Sequence, residues 1–499
     1  MFYFEPIEKL ILALLLTRWS QAPLWSFKSV LLKFSHLQQA GCFWIRRLEH
    51  HTAVSHTHFL LILSLSIFLA NEYSIYEEIR LLIGIKEADM GESFDYFIAL
   101  DGFGLNGFEG FGGIARLRCN PAADQYDIKV KFYDGLAGGH ATQINSQGTI
   151  GYLGNLSQTL FFYDPRTLKE LKRFSTLRFY APDVFYSSQT HVAWIDETHF
   201  ITVLGPYLYL FDYHDLENPK RLGAHGVTLP HAMKKSNSGR YLFIGAMDHD
   251  KKGYANQLGI FDLETNEAKV VALPATAWHL GVHPTKDVCY APTQRCTPQE
   301  NMEFVEYTMA HFKNYLYEID AESAQVTRHL TIPKDLPGFL TSDVVVTETE
   351  VLYNCCASHV IAIADLETFS KVEYIDEIPS FFQQIWYWKA GLSNLLEAIS
   401  RVNLPGAVHT LFKSLRITRW TSIDGSFGLQ LSPDKRYLIS ARRGMNMVVV
   451  YTYPGRKLVK RIPFPSIRKF FPEHVGWFGD PRLGFHHTEL CTTSVEENG

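Results

Sequence analysis

Short apolar runs alternate with polar turns over most of the chain, from about residue 95 onward. The turns are rich in Gly, Asp, Asn, Ser and Pro, as expected between short β-strands. One unit recurs: a strand, a polar turn, a strand, a gap, a strand that ends in Asp, a turn and a further strand. The pattern therefore predicts a mainly β protein built from repeated four-stranded units.

Six copies of this unit can be aligned along the chain. They begin near residues 140, 191, 231, 279, 342 and 424. The sixth copy, with LSPDKRYLISA followed by MVVVYTYPGRKLVKRI, resembles the YVTN-type bacterial propeller repeat, as do the third and fourth copies. The resemblance implies a β-propeller in which each copy is one blade, because a four-stranded blade buries both faces only against neighbouring blades in a ring.

A seventh blade is predicted from both ends of the propeller region, 94–499. The segment HVGWFGD, which begins at His474, has the His-Val-x-Trp pattern that also opens the second blade at His191. Residues 94–134 contain predicted strands that lack an inner partner. We therefore expect residues 470–499 to supply the inner strand of this blade and residues 94–134 to supply the outer strands, which closes the ring.

Two regions have helical patterns. Residues 1–93 contain apolar segments, but their longest clean apolar run, Phe59 to Ala70, is shorter than the roughly 20 residues of a membrane-spanning helix. We expect an N-terminal helical cap on the propeller, or a helical patch in peripheral contact with a membrane. Residues 379–420 predict an aromatic-rich helical insertion between blades five and six, which forms a lid or lines a substrate tunnel.

The composition limits which classes of binding partner and which cellular compartment are expected. The formal net charge of −5 provides no basic excess, which argues against nucleic-acid binding. The seven cysteines are odd in number and irregularly spaced, so a disulfide framework is not expected and a cytoplasmic location is favoured.

A histidine stands at the start of five of the seven predicted inner strands: His140, His191, His231, His279 and His474. Inner strands line the central channel of a propeller, so residues at their starts converge near one mouth. Three of the five lie four residues before Ile144, Ile195 or Lys235, whereas His279 lies three before Val282. Neutral imidazoles are good ligands for Fe, Cu and Zn, and the five residues are therefore the predicted metal ligands. The alternative is that they only form hydrogen bonds around a narrow polar channel.

In general plan, these inner-strand histidines and the apolar helical segments resemble the carotenoid cleavage oxygenases. Members of that family are seven-bladed propellers that hold Fe(II) on the axis with four histidines from four blades. The resemblance implies a non-haem iron oxygenase that acts on a hydrophobic small molecule, with Cu or Zn as other candidate metals. A metal-assisted lyase or cyclase is an alternative, as is a non-catalytic propeller that binds a protein or ligand on its top face. The sequence shows no clear counterpart of the glutamates that orient the imidazoles in that family.

Overall fold

The structure is a computed structural model, and the chain divides into two units, Met1–Ala88 and Asp89–Gly499. It describes residues 93–101, 112–155, 157–179, 190–228, 230–246, 256–294, 314–332, 341–355, 360–377, 426–471 and 483–491, all in the second unit. The helical segments predicted before residue 93, the insertion at 379–420 and His474 lie outside the described residues.

Seven antiparallel sheets of four strands each make up the described part of the chain. The strands are β1 (Phe94–Leu100), β2 (Gly113–Asn120), β3 (Gln125–Phe132), β4 (Gly139–Ile144), β5 (Gly151–Asn155), β6 (Thr159–Tyr163), β7 (Glu170–Ser175), β8 (Ala193–Trp194), β9 (His199–Leu204), β10 (Tyr207–Asp212), β11 (Lys220–Ala224), β12 (Pro230–Lys235), β13 (Tyr241–Ala246), β14 (Gln257–Asp262), β15 (Glu267–Ala272), β16 (Gly281–Val282), β17 (Val288–Gln294), β18 (Asn314–Asp320), β19 (Gln325–Ile332), β20 (Thr341–Val346), β21 (Glu350–Cys355), β22 (Val360–Asp365), β23 (Val372–Asp376), β24 (Ser426–Leu431), β25 (Tyr437–Arg442), β26 (Met447–Thr452), β27 (Leu458–Pro463) and β28 (Phe485–Cys491). Two short 3₁₀ helices, Leu177–Phe179 and Ile467–Lys469, complete the elements described.

The sheets are the predicted blades. Blades one to six each consist of four consecutive strands, beginning at β4, β8, β12, β16, β20 and β24. Blade seven has the order β28-β1-β2-β3, so strands from the two ends of the propeller region close the ring. In this seam, Leu100 pairs with Phe485 and Asp95 pairs with Cys491. The prediction of a seven-bladed β-propeller closed in this way is confirmed.

The inner strand of blade seven differs from the expected one. It is β28, Phe485–Cys491, and not the HVGWFGD segment that begins at His474. In the segment FHHTELC, Phe485, His487, Thr488 and Cys491 are buried and the other three residues are half-buried. No residue of this strand is exposed, as expected for the inner strand of a blade.

The hydrophobic core lies between the blades. Each of the seven buried clusters found in the described residues joins two adjacent blades. Between blades seven and one, for example, Phe97 packs against Phe161 and Tyr163. A fully buried aromatic side chain contributes roughly 1.5–3 kcal/mol relative to an exposed one, so the ring is held by a closed series of similar interfaces.

Burial falls from the middle of each blade to its outer edge. Every residue of β1 is buried, whereas the outermost strand of the same blade, β3, alternates between exposed and half-buried positions. The inner strands face a central channel instead of bulk solvent, which places the residues at their starts close together. Within the described ranges, no helix is long and apolar enough to cross a lipid bilayer.

Candidate metal centre

Five of the seven inner strands are irregular near the residue at which they begin. They belong to blades one, three, five, six and seven. Each has a one-residue shift in its pairing directly after its first residue. In blade one the shift lies between Gly139 and Thr142, and His140 is the first residue inside it. A β-bulge leaves one residue without a paired partner and re-aims the side chains around it. The bulges therefore allow neighbouring residues, which would otherwise face opposite sides, to approach the channel together.

The hydrogen bonds of the following turn fix the register of each histidine. The turn begins at Asn145 in blade one, whose N–H donates to Ile150, and at Ile195 in blade two, whose N–H donates to His199. His140 lies five residues before Asn145, and His191 lies four residues before Ile195.

Counting residues back from the turn in the same way groups blade three with blade one, and blade four with blade two. Ser236 begins the turn in blade three and His283 begins it in blade four. His231 lies five residues before Ser236, and His279 lies four before His283. The sequence alignment, which treated His279 alone as out of register, is therefore wrong at blade two. The histidines occupy two adjacent strand positions, each used by two of these blades.

Four histidines form the centre of the cluster: His140, His191, His231 and His487. One ring nitrogen from each lies within 4.8 Å of those of the other three. The Nε2 atoms of His140 and His231 are 3.3 Å apart, so these two rings aim at nearly the same point. The four residues come from blades one, two, three and seven, and a single ion between them would be held by four separate blades.

Two of the four rings are oriented by partners of their other nitrogen. His191 Nδ1 lies 3.1 Å from the hydroxyl of Thr190. His487 Nδ1 lies 2.8 Å from the carboxylate of Asp343 and 2.7 Å from the hydroxyl of Ser342. Contacts at Nδ1 leave Nε2 for the centre of the cluster, which is the arrangement usual for histidines that bind metals.

Three of the four imidazoles, those of His140, His191 and His231, have a lowered pKa. Burial lowers the pKa of His140, His191 and His231 below the ordinary value of 6.5, and neighbouring imidazoles lower it further. For His231 the pKa falls to about 3. Arg443 adds to the effect at His140, and Lys234 adds to it at His191. Because a metal binds the lone pair of a neutral imidazole, these residues are ready to act as ligands at neutral pH.

Two further histidines contact the four. The ring centroid of His279 lies 4.2 Å from that of His487, and the centroid of His486 lies 4.0 Å from that of His140. Burial lowers the pKa of both residues as well. Neither belongs to the group whose nitrogens lie within 4.8 Å of one another. They form a second layer of neutral imidazole around the centre.

Of the five residues predicted from the sequence, the structure brings His140, His191 and His231 together and places His279 against them. His474 lies outside the described residues. The residue that the sequence reasoning missed is His487. The signal for it was present in FHHTELC, a short alternating run near the end of the chain that follows the expected strand and contains two histidines.

The donor set is compatible with a transition metal. Four imidazole nitrogens suit Fe, Cu or Zn, whereas Mg²⁺ and Ca²⁺ prefer carboxylate, carbonyl and water oxygens. Three of the rings, those of His140, His231 and His487, are held by inner strands, and His191 lies two residues before β8. Fold and site together define a seven-bladed β-propeller with a four-histidine cluster at its central channel.

No protein-family model and no curated protein matches the chain. Similar solved structures include hydrazine synthase from Kuenenia stuttgartiensis, with 13% identity, a TM-score of 0.44, and coverage of 66% of this chain and 87% of that chain. The dihydro-heme d1 dehydrogenase NirN, in complex with DHE, has 13% identity and a TM-score of 0.43, and the match covers 76% of this chain and 75% of that one.

A third similar structure is the β-propeller domain of Cps50 (Swd1) from Myceliophteria thermophila. It has 11% identity and a TM-score of 0.40, and the match covers 66% of this chain and 87% of that domain. These distant likenesses assign no ligand or activity to this chain. None of the comparisons shows a relationship to the carotenoid cleavage oxygenases.

Proposed function

We propose that the protein is a metal-dependent enzyme whose centre is one transition-metal ion held by His140, His191, His231 and His487. The observation that carries the proposal is the convergence of four ring nitrogens to within 4.8 Å of one another. A narrow channel that was only polar would not need four imidazole nitrogens gathered at one point, because burying polar groups away from water is costly. A bound ion gives all four lone pairs a common partner.

The metal that we propose is Fe(II), with Cu and Zn as the other candidates. Four ligands leave two positions of an octahedral ion open, which is the requirement for binding both O₂ and a substrate. When bound, Fe(II) would supply open positions at which O₂ is activated for an oxygenase reaction, with the substrate as the net reductant. The chain's own contribution is to fix the four rings and, through burial, to lower the pKa of His140, His191 and His231.

The proposed substrate is a hydrophobic small molecule. Two large aromatic side chains lie beside the histidines: the ring of Phe427 is 5.1 Å from that of His486, and the ring of Trp278 is 6.4 Å from that of His231. Aromatic and apolar side chains around a few fixed polar groups are typical of sites for small organic ligands. These residues support an apolar approach to the cluster.

Metal analysis tests the proposal. Protein purified without chelator should contain about one equivalent of transition metal, and His140→Ala and His191→Ala should each remove it while the fold is retained, because strand pairing and not the ion holds the ring. His199→Ala is the matched control, since that histidine is 40% exposed and pairs with Asp196 on the surface. Equal metal content in the site variants and the control would contradict the proposal.

Oxygen uptake then tests the reaction class. The iron-loaded protein should consume O₂ in the presence of an apolar alkene substrate, and His191→Ala should not. Iron binding together with substrate turnover that needs no O₂ would reject the oxygenase and favour a lyase or cyclase. Zn or Cu at full occupancy in the native protein, with no iron, would reject Fe(II).

A further inference from the structure

The carboxylate of Asp343, on the inner strand of blade five, forms hydrogen bonds with residues of blades six and seven. One oxygen, Oδ1, lies 2.8 Å from Nδ1 of His487 in blade seven. The other, Oδ2, accepts three hydrogen bonds: from Thr488 N–H at 3.1 Å, from the Thr488 hydroxyl at 2.6 Å and from Leu429 N–H of blade six at 3.1 Å. Asp343 therefore has an acceptor fixed toward His487 and a second oxygen fully occupied by donors.

This arrangement decides where the proton of the His487 ring lies. A carboxylate oxygen only accepts, so a ring nitrogen 2.8 Å away must carry a hydrogen. The hydroxyl of Ser342, 2.7 Å from the same nitrogen, can either accept or donate and imposes no choice by itself. Asp343 therefore requires hydrogen on Nδ1, and in a ring that carries a single N–H hydrogen this leaves the lone pair on Nε2.

We propose that Asp343 is a positioning residue that selects this tautomer of His487 and thereby makes its Nε2 available to the ion. The inference rests on the proposed function for the role of the metal. The tautomer itself is a property of the metal-free protein and can be measured without any ion.

The substitution Asp343→Asn tests the idea sharply, because an amide has one acceptor and one donor end. Three donors, two from Thr488 and one from Leu429, surround the position of Oδ2 and require the amide oxygen there. The amide NH₂ must then face His487 Nδ1, which becomes the acceptor, and the ring proton moves to Nε2. A protonated Nε2 cannot bind a metal, so the metal affinity should fall about 10–100-fold, as is typical when the partner of a ligating histidine is changed.

Two variants separate this role from general damage. Ser342→Ala removes the other partner of His487 Nδ1 but leaves Asp343 in place, so the tautomer and most of the metal affinity should be kept. Asp196→Asn changes an aspartate that lies 2.9 Å from Nδ1 of His199 on the surface, and it should have no effect on metal binding. Thermal unfolding of each variant checks that the fold is intact.

The tautomer is read from the ¹⁵N chemical shifts of the ring nitrogens in metal-free protein, with the His487 signals assigned by their loss in His487→Ala. The expected result is hydrogen on Nδ1 in the wild type and in Ser342→Ala, and hydrogen on Nε2 in Asp343→Asn. Hydrogen on Nε2 in the wild type would overturn the inference even if Asp343→Asn failed to fold. Unchanged metal affinity in a folded Asp343→Asn would overturn it as well. A wild type that has the Nδ1–H form but binds no metal would reject the proposed function and leave the tautomer assignment supported.

Discussion

Arg443 and Asp101 form a largely buried ion pair, with 2.6 Å between Nη2 and Oδ2. Arg443 follows the second strand of blade six, and Asp101 follows β1. The same guanidinium donates to the carbonyl of Phe485 at 2.8 Å, the first residue of β28. One side chain of blade six therefore contacts both strands that meet at the seam of blade seven, so closure of the ring depends on an electrostatic contact as well as on strand pairing.

Replacing Arg443 with Met should destabilise the protein by about 3–5 kcal/mol, because it removes the cation that faces the largely buried carboxylate of Asp101. The side chains are only 10% and 16% exposed, so screening by solvent is limited. Urea denaturation measures the change. Lys371→Met is the control, since the Lys371–Glu373 pair is exposed and should contribute less than about 1 kcal/mol. Similar losses in the two variants would contradict a special role for Arg443.

Truncation tests the seam directly. A chain that ends after Cys491 keeps β28 and should fold cooperatively, whereas a chain that ends after residue 482 lacks the strand that pairs with β1 and should not yield soluble, cooperatively folding protein. Circular dichroism and thermal unfolding compare the two. A shorter chain that unfolds in one transition, at the same temperature as the longer one, would remove β28 from the closure of the ring.

The interface between blades predicts a large effect for Phe243→Ala. Phe243 is fully buried between blades three and four, and its truncation should cost about 3–5 kcal/mol through lost burial and a new cavity. Leu458 on the outer strand of blade six is 44% exposed, and Leu458→Ala should change stability by only about 0.5 kcal/mol. Equal effects at the two positions in chemical denaturation would mean that the interfaces are not the main source of stability.

Glu377 predicts a pH dependence that is separate from the histidines. Burial raises the pKa of its carboxyl group above the ordinary value of 4.5, and the Tyr451 hydroxyl donates to it at 3.2 Å. At a pH between the pKa of Glu377 in the unfolded chain and its pKa in the folded chain, the carboxyl group is deprotonated in the unfolded chain and protonated in the folded chain. The stability that this group contributes is therefore present below about 4.5 and is lost as the pH rises through the folded pKa. Glu377→Gln should flatten this decline in the thermal midpoint, and parallel curves for wild type and variant would count against it.

The two candidate histidines near the end of the chain can be distinguished by metal affinity. His487→Ala removes a member of the four-residue group and should lower the affinity at least tenfold. His474→Ala changes the residue that the sequence pattern favoured and should leave the affinity unchanged. Chelator competition with both variants decides between them, and the reverse order of effects would restore His474 as the ligand.

The sequence predicted the blades because each strand's burial follows its own local pattern of apolar residues and turns. Blade seven was found for the same reason, since β1 and β2 are apolar strands with no inner strand directly before them in the sequence. Its inner strand was misassigned because HVGW at His474 imitates the start of blade two more closely than FHHTELC does. Local similarity cannot show which of two segments pairs with a strand almost 400 residues away.

The site was less predictable than the fold. Convergence of His140, His191 and His231 follows from their repeat positions, but the bulges beside His140 and His231 leave no mark in the hydrophobic pattern. The contact between Asp343 and His487 joins residues 144 positions apart and depends on the closed ring. The sequence offered no counterpart of an orienting carboxylate, because such a partner is defined by tertiary structure alone.

The bulges allow the side chains that face the channel to be varied one position at a time. In blades one and three the residue after the histidine is a small one, Ala141 or Ala232, whereas blade seven has histidines at both adjacent positions, His486 and His487. Moving an imidazole by one residue, for example by exchanging His140 and Ala141, would thus alter the arrangement of donors without changing any strand pairing outside the bulge. A single backbone can in this way present many combinations of side chains to its axis, and the ring serves as a permutable scaffold on which ligand sets are exchanged at little cost to folding.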